Sequence, residues 1–185
     1  MRKLTSAIAL TTAAVALAAG TAGTASAATA PAAPVPSRHL ALDGWTLLNE
    51  HGPGPNPGER LTAWVSARTV DGNARGHVVV QHVFETSGTV RAEFDVDCLT
   101  VDGNGAVTVT GPVSRTVITP LGGEPYLFHE GEHPEAGLTF YPTDEQHQRR
   151  VGWARTDPAM HSEVVTCGAV PAGFWVIDGG TFLRR

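Results

Sequence analysis

From Leu61 the chain alternates. Leu61, Ala63, Val65 and Ala67 are apolar or small, Thr62, Ser66 and Arg68 separate them, and Trp64 breaks the pattern. A period of two marks a strand with one face buried. The run ends at Thr69-Val70-Asp71-Gly72-Asn73, where Asp-Gly suits a tight hairpin turn because glycine takes positive φ freely. Beyond it, in His77–Phe84, the apolar positions become even: Val78, Val80 and Phe84. An even-length loop pairs odd with even residues, so the two core faces agree. Glu85–Thr89 then offers a three-residue loop, which keeps even opposite even. Val90, Ala92, Phe94, Val96 and Cys98 follow on one face, with Arg91, Glu93, Asp95 and Asp97 on the other. The same turn phrase returns as Thr100–Asn104, and an even loop there hands the core to Val107, Val109 and Val113. Sliding any of these strands by one residue would bury charge, so the register is well specified. The pattern predicts four hairpin-linked strands over 61–114, with Pro112 at a bulge or strand end.

Short strands are also expected at Leu42–Leu48, Tyr126–His129, Leu138–Tyr141, Val151–Arg155, Val164–Cys167 and Phe174–Ile177, the last extending through Thr181–Leu183 past Gly179-Gly180. No segment carries a helical period. The expected fold class is all-β: an antiparallel meander forming a closed or partly open β-barrel, with a β-sandwich as the alternative.

The first residues change the picture of where this domain works. Arg2-Lys3, an apolar stretch to Gly20 and the small residues Ala25-Ser26-Ala27 have the form of a signal peptide, 1–27, with an A-x-A cleavage site. Residues 28–37 are an Ala/Pro-rich spacer, and 38–185 suit a single β-domain. The expected location is secreted and extracellular, with no membrane association after cleavage. The lone lysine is Lys3 and the chain is rich in Ala, Gly and Pro, a composition typical of a GC-rich, Gram-positive secretor. The formal net charge of −5 becomes more acidic once Arg2 and Lys3 leave, which argues against nucleic acid or anionic membranes as partners. Cys98 and Cys167 are the only cysteines; an oxidising compartment permits a disulfide between them, the alternative being two buried thiols.

Candidate chemistry is sparse. His129-Glu130-Gly131-Glu132-His133 matches H-x-x-E-H in letters, but Gly131 and Pro134 oppose the helix that this zinc motif requires. A looser zinc site in a loop remains, formed by His129, His133 and a carboxylate such as Glu132. His82 falls on the core face between Val80 and Phe84, as a hydrogen-bonded interior histidine or as a ligand-contacting group. Trp45, Trp153 and Trp175 line a ligand pocket with His82 or serve as packing. Trp64 points away from the core and, with Val79 and Val83, forms an outer apolar strip for the N-terminal segment or a partner to cover. Asp95 and Asp97 are two residues apart but alternate with Glu93 as any solvated strand face does. Nucleophile-elbow, phosphate-loop and dinucleotide signatures are absent.

The run Val96–Gly111 resembles a hairpin, V-x-C-L-x-V-x-G-N-x-A-x-V-x-G, of uncharacterised small secreted β-domain proteins of actinobacteria. The likeness covers about Leu61 to Gly111, and this chain carries an extra Gly105 in the turn. It implies a secreted β-fold and no particular activity. The expectation is therefore a non-enzymatic binder of a small molecule or an extracellular protein. The rival is an extracellular enzyme: a metal hydrolase at the His129–His133 loop or a barrel isomerase using His82.

Overall fold

A computed structural model describes residues 39–55, 57–128, 134–156 and 163–184. The signal-peptide and spacer assignments, and His129, Glu132 and His133, lie outside the described residues. Among those described there is no helix. Ten strands run β1 Ala41–Asn49, β2 Glu59–Val70, β3 Asn73–Phe84, β4 Gly88–Asp95, β5 Cys98–Val101, β6 Val107–Pro120, β7 Tyr126–Leu127, β8 Glu135–Phe140, β9 Arg150–Arg155 and β10 Phe174–Arg184. All pairings are antiparallel. The order β4-β3-β2-β1-β10-β9-β8-β6 closes because β4 also pairs with β6. The fold is a closed eight-stranded barrel, with β5 and β7 as additional partners of β6. Closure removes the free edges that an open meander would present.

The first turn forms as its residues dictate. Asp71 and Gly72 both have positive φ, 52° and 80°, and Val70 faces Asn73 across a two-residue hairpin. The second copy of the phrase folds differently. Val101 faces Val107 across five residues, and Asp102 Oδ1 accepts from the backbone N–H of Asn104 and Ala106. This odd loop reverses the expected parity. A second departure compensates: the long third strand breaks after Asp95 into β4 and β5. Val96 faces the core, as do Leu99 and Val101, whereas Cys98 pairs with Thr110 and leaves the core face. Val107 and Val109 still end up inside.

The barrel interior is packed with side chains. Leu42, Val78, Phe94, Val109, Leu138 and Val151 are almost fully buried, and Trp153 stacks on Phe94 with centroids 6.3 Å apart. The outside carries Arg60, Ser66, Arg68, Arg75, Asp95 and Arg115. The expected strand at Val164–Cys167 is not one. Its backbone bonds to threonine side chains and to itself rather than to a neighbouring strand. Gly168 N–H donates to the Val165 carbonyl at 2.7 Å, and Cys167 has φ 62°.

Residues 163–171 instead form a strap over the outer face of β6, β8 and β9. Cys167 N–H donates to Thr110 Oγ1 at 3.1 Å and Val170 N–H to Thr139 Oγ1 at 2.8 Å. Tyr141 Oη donates to the Val170 carbonyl at 2.7 Å. The Cys98–Cys167 disulfide pins the strap, with Cα atoms 5.4 Å apart. The threonines beneath it are fully buried yet lie outside the barrel. Gly152 leaves room for the strap, since a Cβ there would collide with the Val170 carbonyl.

Candidate functional site

The pairing register converts the sequence into rows on the outer face of β10, β1, β2, β3 and β4. One row reads Arg184–Ala41–Arg68–Arg75. The next reads Phe182–Asp43–Ser66–His77–Asp95, and the third Gly180–Trp45–Trp64–Val79–Glu93. Each row sits one pleat repeat from the last.

The first two rows border an open cleft of about 540 Å³, lined chiefly by Asp43, Ser66, Arg68, Arg75, His77 and Arg184. Arg68 and Arg75 are directly opposed across β2 and β3, an arrangement of like charges that costs stability unless an anion intervenes. Neither makes an ion pair among the described residues. Arg184 reaches Asp43 at 3.5 Å, and Asp43 also accepts from the Ser66 hydroxyl at 2.8 Å. Three guanidiniums thus face one carboxylate on an otherwise acidic chain. At the cleft wall His77 is held between two carboxylates, Nδ1 at 3.0 Å from Asp95 Oδ1 and Nε2 at 3.1 Å from Glu93 Oε2. Arg91 Nε donates to Glu93 Oε1 at 2.9 Å. The Arg91 hydrogen bond is the main reason the Glu93 carboxyl lies below its usual range; Arg91's charge and His77 add to it against desolvation.

In the third row Trp45 and Trp64 are cross-strand partners and remain 42% and 40% exposed. Trp64 in turn faces Val79. The outer apolar strip expected from Trp64 and Val79 is therefore present, and Trp45 extends it. Val83 lies further along β3, opposite Arg60.

The four residues expected around one pocket occupy separate places. Trp45 is outside on β1. Trp153 is inside against Phe94. Trp175 donates from Nε1 to Gln148 Oε1 at 3.0 Å and lies under the Arg150 guanidinium at 3.8 Å, a packing and cation–π role. His82 sits at one barrel end, tilted against Phe84 with centroids 3.8 Å apart and with Nε2 3.5 Å from Glu59 Oε2. The cavity beside it is about 10 Å³, room for one water at most. Asp95 and Asp97 do not act as a pair: Asp95 holds His77, and Asp97 receives a long 3.5 Å contact from the Thr110 hydroxyl.

The arginine row has a signal in the sequence. A two-residue turn at Asp71-Gly72 makes Arg68 and Arg75 equidistant from the turn and hence opposed. A second group, without such a signal, lies at the His82 end, where Glu50, His51 and Glu59 bring one ligand atom each within 4.8 Å of one another. No protein-family model, curated protein or solved structure matches the chain significantly. No helix among the described residues is long and apolar enough to cross a membrane.

Proposed function

We propose that this is a secreted, non-enzymatic binding module whose ligand lies on the outer face of β1, β2 and β3. The observation that carries the reading is the presence of the arginine row and the tryptophan row on one face, four residues apart along β2. That spacing is about 13 Å. Guanidiniums take carboxylate, sulfate or phosphate groups in a bidentate way, and rigid exposed indoles offer an apolar platform with little ordering cost. A ligand satisfying both is an anion-bearing chain with flat ring faces. In the extracellular space the matching class is an acidic saccharide, its acid group on Arg68 and Arg75 and a ring on Trp45 and Trp64. The cleft volume lies within the range of ligand sites.

Export is supported by the A-x-A leader, by the Cys98–Cys167 bond and by the likeness of the Val96–Gly111 hairpin to secreted actinobacterial β-domains. The enzyme rival has less behind it: His82 has a carboxylate neighbour, but the cavity that His82 itself lines is only about 10 Å³.

Trp fluorescence tests the reading. Oligogalacturonate, a uronic-acid chain, is expected to shift the emission of the purified protein, and neutral dextran oligomers of the same length are not. Trp45→Ala/Trp64→Ala removes the emission shift, and Arg68→Ala/Arg75→Ala weakens binding at least tenfold. Equal binding of the neutral and acidic chains, or binding indifferent to both double variants, overturns it.

A further inference from the structure

The opposite part of the molecule carries a second chemistry, independent of the outer-face reading. The β1–β2 loop begins at Asn49, which is buried and folds the loop back on itself: its Nδ2 donates to the Gly54 carbonyl, and its Oδ1 accepts from His51 N–H at 2.9 Å. This places Glu50 and His51 beside Glu59, the first residue of β2. Leu61 pairs with His82 across β2 and β3, which brings the His82 ring to the same Glu59.

Two contacts have the spacing of adjacent ligands on one small cation. His51 Nε2 is 3.3 Å from Glu50 Oε1, and His82 Nε2 is 3.5 Å from Glu59 Oε2. The edge of a tetrahedron around zinc is about 3.3 Å, given bonds of roughly 2.0–2.1 Å. The ligand atoms of Glu50, His51 and Glu59 already lie within 4.8 Å, and these partly exposed side chains can close the remaining gap by rotation. Two carboxylates that near each other repel. Among the described residues no arginine pairs with either of them.

We infer that Glu50, His51 and Glu59, completed by His82, form a zinc site that ties the β1–β2 loop to the end of β3. The two imidazoles select zinc over calcium, which takes six to eight oxygen ligands. The cavity shared by Glu50, Glu59 and His82 is about 10 Å³, and the role that follows for the site is to fix the loop and close this barrel end.

Titration calorimetry of the purified full chain with zinc chloride, in a buffer free of chelators and phosphate, tests the assignment. One equivalent is expected to bind with a dissociation constant in the micromolar range, and calcium chloride is expected to give no heat. Zinc is also expected to raise the melting temperature, and EDTA to reverse the rise. His51→Ala/Glu59→Gln should weaken binding at least tenfold. Its melting temperature in EDTA should match that of the parent, which shows that the variant folds. His82→Ala should weaken binding by a smaller factor. His129→Ala/His133→Ala should leave it unchanged. Absence of heat at 100 µM zinc overturns the inference. So does binding that survives His51→Ala/Glu59→Gln and disappears in His129→Ala/His133→Ala, which would place the metal on the other histidine loop.

Discussion

Glu93 shows how one side chain on the outer face couples charge to stability. Its carboxyl is held low first by the Arg91 hydrogen bond, then by Arg91's charge and by His77. A carboxyl whose folded pKa lies below its unfolded value stabilises the fold above the unfolded value. That contribution fades as pH falls through the folded one. Glu93→Gln is therefore expected to cost about 1 kcal/mol near neutrality, a figure reduced for its partly exposed partners, and to cost nothing once the parent carboxyl is protonated. Glu135 runs the other way. Desolvation, then the nearby Asp97 charge, raise its carboxyl above the usual range. Its contribution is present below the unfolded value and is lost as pH rises through the folded one. Glu135→Gln is expected to narrow the loss of stability between acidic and neutral pH. Urea melts across pH check both signs. A third residue-scale test concerns the barrel interior, where the buried Thr116 hydroxyl has no hydrogen-bond partner among the described residues. Thr116→Val keeps the shape and removes the orphan hydroxyl, so a gain of about 1 kcal/mol is expected.

At the scale of elements the strap is the least legible part of the fold. Val164–Cys167 has strand-forming residues, and nothing local indicates that its partners are threonine hydroxyls presented by other strands. The same long-range contact explains Cys98. Alternation alone assigns it to the core with Val96, but the chain steps over at Asp97, whose N–H bonds to the Thr110 carbonyl, and Cys98 turns outward to meet Cys167. The hairpins around Asp71-Gly72 and Glu85–Thr89 were legible because their turns are local and their faces must match. Removing the disulfide with Cys98→Ala/Cys167→Ala is expected to cost about 4 kcal/mol on the loop-entropy model for a separation of 69 residues, as measured by denaturant melts. Gly152→Ala should loosen the strap without touching the sulfurs, because the added methyl meets the Val170 carbonyl. Faster amide exchange at Val170 with little change at Val78 is the expected signature.

For the molecule as a whole, the meander pattern made the barrel readable and left its use hidden. Interior positions announce themselves by apolar alternation. Recognition on a barrel exterior does not, because arginine, serine and histidine at outward positions look like any solvated face. Only the register makes a row of Arg68, Arg75 and Arg184, and only exposure distinguishes Trp45 and Trp64 from the half-buried Trp153. Among the described residues the barrel interior is filled by side chains such as Phe94, Leu138 and Val109, so the exposed arginines and tryptophans lie on its outer face. The proposed ligand site is the outer face of β1, β2 and β3. Backbone amide chemical shifts, recorded while oligogalacturonate is added to the isotopically labelled protein, test it most directly. The expected result is a contiguous set of perturbed amides at Asp43, Trp45, Trp64, Ser66, Arg68, Arg75 and His77, with Leu48, His82 and Phe174 unmoved. Perturbation confined to that barrel end, or none at millimolar ligand, would rule out the outer face as the site.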